Sequence, residues 1–378
     1  MKTPLAWSNL VYKKTRTLVA VAGVAFAILL IFMQFGFYGA MGATANRFFD
    51  HLHFDILLTS TQYQNFGRPG VFPRIRLTEA QSVEGVQSAV PLYIGVNLWR
   101  NPSWESRRRR NIMVLGWNLD DPVFNLPEVE EATPRLRKLD SVLIDRRSRP
   151  EFGPKDPGVA TELGLERVHI VGQFTLGTGF GADGLVVASD ETFSRVFGGR
   201  SLDQVSLGLV QLRPGYDPQQ VAQELNRVLP MDVVARTRAD IEEREQNYWI
   251  NRTSVGTIFR LGVFVVLVVG VVFVYQVISS DIAGHLGEYA TLKAMGYTNT
   301  YLSGILLQEA LLLAGFAYVP AFVLALVLYS LTRTMAGIPI DMSVQRAVIV
   351  LLLSITMCAL SGFLALRKVR AADPADLF

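Results

Sequence analysis

The chain has 378 residues, of which 50% are hydrophobic and only 18% charged, against about 25% charged in an ordinary soluble domain. A formal net charge of +3 is too small for this length to mark a nucleic-acid binder, and a single cysteine, Cys358, excludes an intrachain disulfide. The apolar excess is concentrated in four windows, each long enough for a helix to cross a bilayer.

Residues 1–16 place Trp7, Leu10 and Val11 at helical spacing ahead of Lys13, Lys14 and Arg16. That pattern predicts an amphipathic helix lying at the cytoplasmic membrane interface. Residues 17–40 predict the first span. Its apolar stretch is longer than the roughly 7–15 residues of a signal peptide, and no Ala-x-Ala site closes it, so it reads as an uncleaved helix. Met41–Leu52 continues as a helical stalk.

Residues 41–256 are predicted to form an extracytoplasmic α+β domain. Strand patterns run at Phe54–Thr59, Val90–Trp99, Asn111–Trp117, Ser141–Asp145, Val168–Phe174, Leu185–Ala188 and Ser206–Leu212. Helices are predicted at Ser189–Phe197 and at Asp217–Leu229, where Asp217 precedes Pro218 as an N-cap before an N1 proline. A third helix is predicted from Arg238 through Ile241–Asn251 and into the second span, with Glu242, Glu243, Arg244 and Glu245 solvated along a second stalk.

Two motifs in this domain invite a chemical reading. Trp104, Arg107, Arg108, Arg109 and Arg110 lie between two predicted strands, with Trp99 close by, and form a candidate partner-contact loop; a solvated hairpin loop is the alternative. Gly179-Phe180-Gly181-Ala182-Asp183-Gly184 matches G-x-G-x-x-G, but Leu185-Val186-Val187 after it reads as a strand where a nucleotide site needs a helix, so a glycine-rich turn is expected. Of the histidines, His51, His53, His169 and His285, the first two stand at i,i+2 and could ligate a metal only with distant help. No H-E-x-x-H, C-x-x-C, G-x-S-x-G or P-loop pattern occurs, and no catalytic, metal or cofactor residue is named.

The second span is predicted at 257–280, the third at 301–331 and the fourth at 347–366, with a short outer loop at 332–346 and a tail at 367–378. Glu309, the one acid at lipid depth, is expected to snorkel or pair. Gly23 with Ala27, Gly36 with Ala40, and Ser354, Cys358 and Gly362 form small-residue stripes suited to close helix packing. Lys2, Lys13, Lys14 and Arg16 before the first span, and Arg367, Lys368 and Arg370 after the last, place both termini in the cytoplasm. The segment 281–300 is then a cytoplasmic connection. Asp281–Gly296 reads as a short amphipathic helix closed by Gly296, which suits a docking surface.

The segment Gly287-Glu288-Tyr289-Ala290-Thr291-Leu292-Lys293-Ala294-Met295-Gly296-Tyr297 resembles the cytoplasmic coupling segment of FtsX/MacB-type ABC transporter permeases. Gln308-Glu309, the tail Arg367-Lys368-Val369-Arg370-Ala371-Ala372-Asp373-Pro374-Ala375, and the order of one span, a large outer domain and three spans are similar to theirs as well. Within that family the chain most resembles the DevC-type permeases. Pro91-Leu92-Tyr93, Leu115-Gly116-Trp117-Asn118, Asp145-Arg146-Arg147-Ser148-Arg149-Pro150-Glu151-Phe152-Gly153 and Gly177-Thr178-Gly179-Phe180 carry that likeness.

The resemblance implies a fold of four transmembrane helices with a MacB-like periplasmic domain between the first two. It implies a non-catalytic permease subunit in the bacterial inner membrane, forming a homodimer in lipid. ATP and magnesium would sit on a separate ABC ATPase. A membrane-fusion adaptor protein and a TolC-like outer-membrane channel would complete an exporter of a lipid, glycolipid, peptide or small molecule. Leu286, Gly287, Glu288, Tyr289, Leu292, Lys293, Met295 and Gly296 are the ATPase-coupling residues expected on this basis. Two further readings of the same superfamily stand beside it: a lipoprotein-releasing permease, and an FtsX-like regulator of a cell-wall hydrolase.

Overall fold

In the computed structural model, which describes residues 14–103, 108–177, 182–284, 295, 297–336 and 338–371, the first helix, α1 (Lys14–Asp50), runs 37 residues without a break. Its apolar length supplies the first candidate span, Thr17–Asp50. The fold divides into two units, Met41–Thr253 and the combination of Met1–Ala40 with Ser254–Phe378.

The unit Met41–Thr253 is built on a mixed sheet. Its strands in chain order are β1 (Ile56–Ser60), β2 (Phe72–Pro73), β3 (Val86–Arg100), β4 (Arg109–Trp117), β5 (Ser141–Asp145), β6 (Ala160–Leu163), β7 (Glu166–Phe174), β8 (Leu185–Ser189), β9 (Gln204–Val205), β10 (Leu207–Leu212) and β11 (Val233–Thr237). Nine of them join in the order β11-β1-β10-β3-β4-β8-β5-β7-β6, while β2 and β9 pair separately. Most neighbours are antiparallel; β4 with β8 and β5 with β7 are parallel.

The short strands β1, β5 and β8 are buried at every position, as continuous apolar runs covered on both faces should be. The cover comes from α2 (Ile75–Gln81), α3 (Pro127–Leu136), α4 (Asp190–Val196), α5 (Pro218–Val228) and α6 (Arg238–Asn247). One core contains Leu77 of α2, Phe193 of α4 and Val221 and Leu225 of α5. The second core contains Val129, Ala132 and Leu136 of α3, Ile241 of α6, and Phe48 and Phe49 from the end of α1.

Local chemistry sets the helix ends. Asp217 accepts from the Gln219 backbone with Pro218 at N1, as expected from sequence. Ser189 caps α4 through Thr192. Thr237 and Asp240 form a reciprocal capping box at α6. The elements α2, α3, β2, β6, β9 and β11 are not among those predicted from the sequence pattern; α3 in particular carries prolines at both 127 and 134, which mask the Val129, Ala132, Leu136 stripe.

The third helix corrects another expectation. It does not run unbroken into the second span: α6 ends at Asn247, a π-helical turn occupies Tyr248–Arg252, and Thr253 is extended at φ −97°, ψ 151°. Helix α7 (Ser254–Gly284) starts afresh after it.

The other unit contains the spans. With the first stretch of α1 it holds α7, α8 (Asn299–Ala336) and α9 (Val344–Ala371). Candidate spans are Ser254–Ser280, Leu307–Met335 and Val344–Ala365. Small residues line the contacts. Ala310, Ala314, Ala317, Ala321 and Ala325 form a buried stripe on α8, and Ala27, Ala40, Ser354, Cys358 and Gly362 are buried as well. A Cβ on Gly23 would strike the Phe273 ring, and one on Gly36 would lie 2.6 Å from the Tyr329 hydroxyl. Ser361 donates to the Val271 carbonyl at 2.9 Å. Glu309 is only 6% exposed, so it faces the bundle instead of snorkelling to water.

Candidate functional site

The expected coupling segment begins where α7 ends. Leu286, Gly287, Glu288, Tyr289, Leu292, Lys293 and Gly296 lie outside the described residues. Met295 is described and is 62% exposed. Just beyond it, Tyr297 and Tyr301 stack with centroids 4.9 Å apart, both exposed. The Tyr301 backbone donates to the Thr298 hydroxyl and carbonyl, which closes the first turn of α8. An aromatic pair four residues apart across a helix start is a signal that sequence spacing alone carries.

The basic loop resolves into two parts. Trp104 and Arg107 lie outside the described residues, and Arg108 is exposed. Arg109 and Arg110 are not loop residues: they extend β4 and pair across the hairpin with Arg100 and Trp99. Arg109 and Arg100 both bind Glu162, the former at 3.1 Å. Arg110 reaches Glu151 at 3.3 Å and Asp183 at 3.9 Å, and Arg149 holds Asp183 at 2.9 Å. These pairs are part-exposed, so each is worth about 0–1 kcal/mol. Trp99 is core, fully buried with its indole N–H on the Phe152 carbonyl at 3.0 Å.

The motif 145–153 folds as one knot at the end of β5. Asp145 is fully buried; its carboxylate accepts from the Arg147 backbone at 2.9 Å and from the Gly177 backbone at 2.7 Å. Ser148 accepts from the Leu185 backbone at 3.2 Å. Lys155 donates to the Arg146 and Ser148 carbonyls. Burial raises the Asp145 carboxyl and lowers the Lys155 ammonium from their ordinary ranges. The motif therefore anchors the loop that carries Gly177, of which residues 178–181 lie outside the described residues. Directly after Gly184 the chain enters β8, where a dinucleotide site needs a helix.

A buried polar cluster forms around Glu245, a residue whose run of neighbouring charges predicts solvent exposure. Glu245 is 1% exposed. It accepts from the Tyr63 hydroxyl at 2.7 Å, from the Phe66 backbone at 3.0 Å and from the Trp249 indole at 3.1 Å. The neighbouring Arg244 donates to the Tyr63 carbonyl at 3.0 Å and lies over the Tyr63 ring. Burial is the largest influence on Glu245 and raises its carboxyl, with the three donors acting in the other direction. Burial likewise raises the Tyr63 phenol, with the Glu245 charge adding to the effect. The cavity beside them, lined by Thr44, Phe48, Phe66, Met113 and Trp249, is about 20 Å3, room for a water-sized group and nothing larger. The cluster fastens α6 and the π-helical turn to the 61–68 segment, as a latch.

Comparison with known proteins gives the frame for these features. A model of the MacB-like periplasmic core domain matches residues 17–228, and a model of the FtsX-like permease C-terminal region matches residues 260–374. The periplasmic region of MacB from Actinobacillus actinomycetemcomitans is 10% identical, with 51% of this chain and 92% of that one covered and a TM-score of 0.35. The extracellular domain of the noncanonic ABC-type transporter YknZ from Gram-positive bacteria is 15% identical, with 49% and 99% covered and a TM-score of 0.33. No curated protein matches. With the core-domain match covering more than half of the sequence, and the C-terminal match following across the later spans, the chain belongs to the FtsX/MacB-like ABC transporter permeases.

Proposed function

We propose that this chain is the permease subunit of an ABC exporter, carrying ATP-driven motion across the bacterial inner membrane instead of opening a wide pore. What supports the reading is the order of the two family matches along one chain, the core domain first and the FtsX-like spans after it. Its termini are cytoplasmic in this proposal, as the basic flanks suggest. A separate ATPase docks on Leu286, Gly287, Glu288, Tyr289, Leu292, Lys293, Met295 and Gly296. A periplasmic adaptor and an outer-membrane channel receive the motion, and two permease copies work together.

The chemistry of the chain suits a lever. The described spans hold apolar and small residues against each other, with no row of acids or histidines of the sort proton relays need. Helix α1 contributes both to a membrane span and, through Phe48 and Phe49, to the core of the domain. A force on the span therefore acts on a helix whose far end is embedded in packed side chains, and packed cores transmit displacement with little compression.

The test is ATPase coupling. The permease is reconstituted with its ATPase in vesicles, and turnover is compared with that of the ATPase alone. Glu288→Ala and Tyr289→Ala are expected to lower the stimulation several-fold while leaving the free ATPase rate unchanged. Full stimulation by a permease carrying both changes rejects the assigned docking segment.

A further inference from the structure

The amino end of α6 holds the carboxyl end of α1. Arg238, the first residue of α6, donates from Nη1 to the Phe49 carbonyl at 2.7 Å and from Nη2 to the Leu52 and Phe54 carbonyls at 2.8 and 3.0 Å. These partners stand 189, 186 and 184 residues earlier in the chain. The guanidinium lies 4.0 Å from the centroid of the Phe54 ring. Glu242, one turn further along α6, is 3.7 Å from Nη1.

The last carbonyls of a helix have no partner inside it and carry the negative end of its dipole. A basic residue that answers them usually belongs to the last turn of the same helix. Here it comes from a different helix. A guanidinium suits the position because its rigid fork aims donors at several carbonyls at once, which an ammonium does not.

Strand pairing does a different job. β1 pairs with β11, Ile56 opposite Thr237, and the Arg238 backbone donates to the Asp55 carbonyl at 3.1 Å. These bonds fix where α6 starts on the sheet. Residues 51–55, between α1 and β1, are irregular backbone, which can bend when the helix before it moves. Phe49 and Ile241 share a core, but apolar contact is non-directional, whereas hydrogen bonds fix an angle as well as a distance. The Arg238 side chain is a direct polar link from the last turn of α1 to α6.

We propose that Arg238 is a positioning residue for transmission. Its fork makes the end of α1 and the start of α6 move as one piece, so displacement of α1 enters the sheet through β11 as well as β1. This rests on the transmitting role proposed above, and the test separates the two.

The full-length permease is reconstituted with its ATPase in lipid nanodiscs. Amide hydrogen exchange across residues 56–237 is measured without nucleotide and with ATP and orthovanadate. The wild type is expected to show a difference between the two states. Arg238→Ala cuts that difference several-fold while the nucleotide-free pattern stays that of the wild type. Arg238→Lys retains part of the difference, because it keeps the charge without the fork. Arg227→Ala, which removes the same charge where the side chain is 77% exposed on α5, keeps all of it. No difference in the wild type overturns the transmitting role, and the joint with it. A full difference in Arg238→Ala overturns the joint alone; if that variant does not fold, a full difference in Arg238→Lys does so. A nucleotide-free pattern altered throughout 56–237 in both variants marks a residue that holds the fold, and also overturns the proposal.

Discussion

The Glu245 carboxylate gathers three donors, two of them 182 and 179 residues away in the chain and the third on the next helical turn, and this makes its removal costly. Glu245→Ala leaves the Tyr63 hydroxyl, the Phe66 amide and the Trp249 indole without their acceptor. At about 1–3 kcal/mol for each buried donor so stranded, offset by local relaxation, a loss of about 2–4 kcal/mol is expected. Denaturant unfolding followed by tryptophan fluorescence measures it. A loss below about 0.5 kcal/mol, the range of an ordinary surface change, contradicts the latch.

The same residue sets a pH dependence whose sign is fixed. Burial holds the folded-state carboxyl above its ordinary range. Between the unfolded and folded pKa values the folded chain keeps a proton that the unfolded chain has released, so unfolding free energy falls as pH rises through that window. The window opens at about pH 4.3, where an unfolded glutamate titrates. Asp145 is raised by burial in the same way, so the wild-type slope is a sum. Subtracting the Glu245→Gln profile isolates one part: the variant is expected to lose stability less steeply from pH 4 upward. Parallel profiles exclude Glu245 as a source of the slope.

At the scale of elements, close helix approach depends on absent side chains. A Cβ on Gly36 would meet the Tyr329 ring, which is 2% exposed and whose hydroxyl donates to the Phe32 carbonyl. Moving that ring breaks both its packing and its hydrogen bond. Gly36→Ala is therefore expected to cost about 1–3 kcal/mol, as overpacking does, and to lower the thermal midpoint in detergent. Gly315 on α8 is the control, since a Cβ there meets nothing within 4 Å. Gly315→Ala should be neutral or gain a few tenths up to about 1 kcal/mol from helix propensity. Equal midpoints for the two variants count against the packing described at Gly36.

These elements also mark what the sequence could disclose. Membrane spans are legible because length and hydropathy alone define them, and the strand Ser141–Asp145 was bounded correctly because an apolar run ended in turn residues. The burial of Glu245 was not legible. It sits in a run of charges on α6, and its partners Tyr63 and Phe66 are 182 and 179 residues away in sequence. Arg109 and Arg110 looked like loop because strands seldom begin on arginine pairs; cross-strand partners and Glu162 and Glu151 make it feasible here. The break at Thr253 is hidden because Tyr248–Arg252 carries no glycine or proline to mark it, while its π-helical geometry shows only in the backbone.

For the whole molecule, the orientation of the chain decides whether the lever works in the proposed direction. In the proposed topology the four candidate spans among the described residues put both termini on one side, and the basic flanks assign that side to the cytoplasm. A single native cysteine makes this directly measurable. Cys358 is fully buried, so Cys358→Ala gives a silent background at a cost of about one small buried side chain. Into it go Leu165→Cys, at a position 91% exposed in the domain, and Met295→Cys, at a position 62% exposed beside the coupling segment. In right-side-out membrane vesicles, a membrane-impermeant maleimide is expected to label position 165 at once and position 295 only after the membrane is opened. Inside-out vesicles should give the reverse order. If position 295 reacts from the outside, an ATPase fuelled by cytoplasmic ATP has no access to the segment assigned to it. The permease would then keep its fold and its latch, but not the proposed direction of coupling.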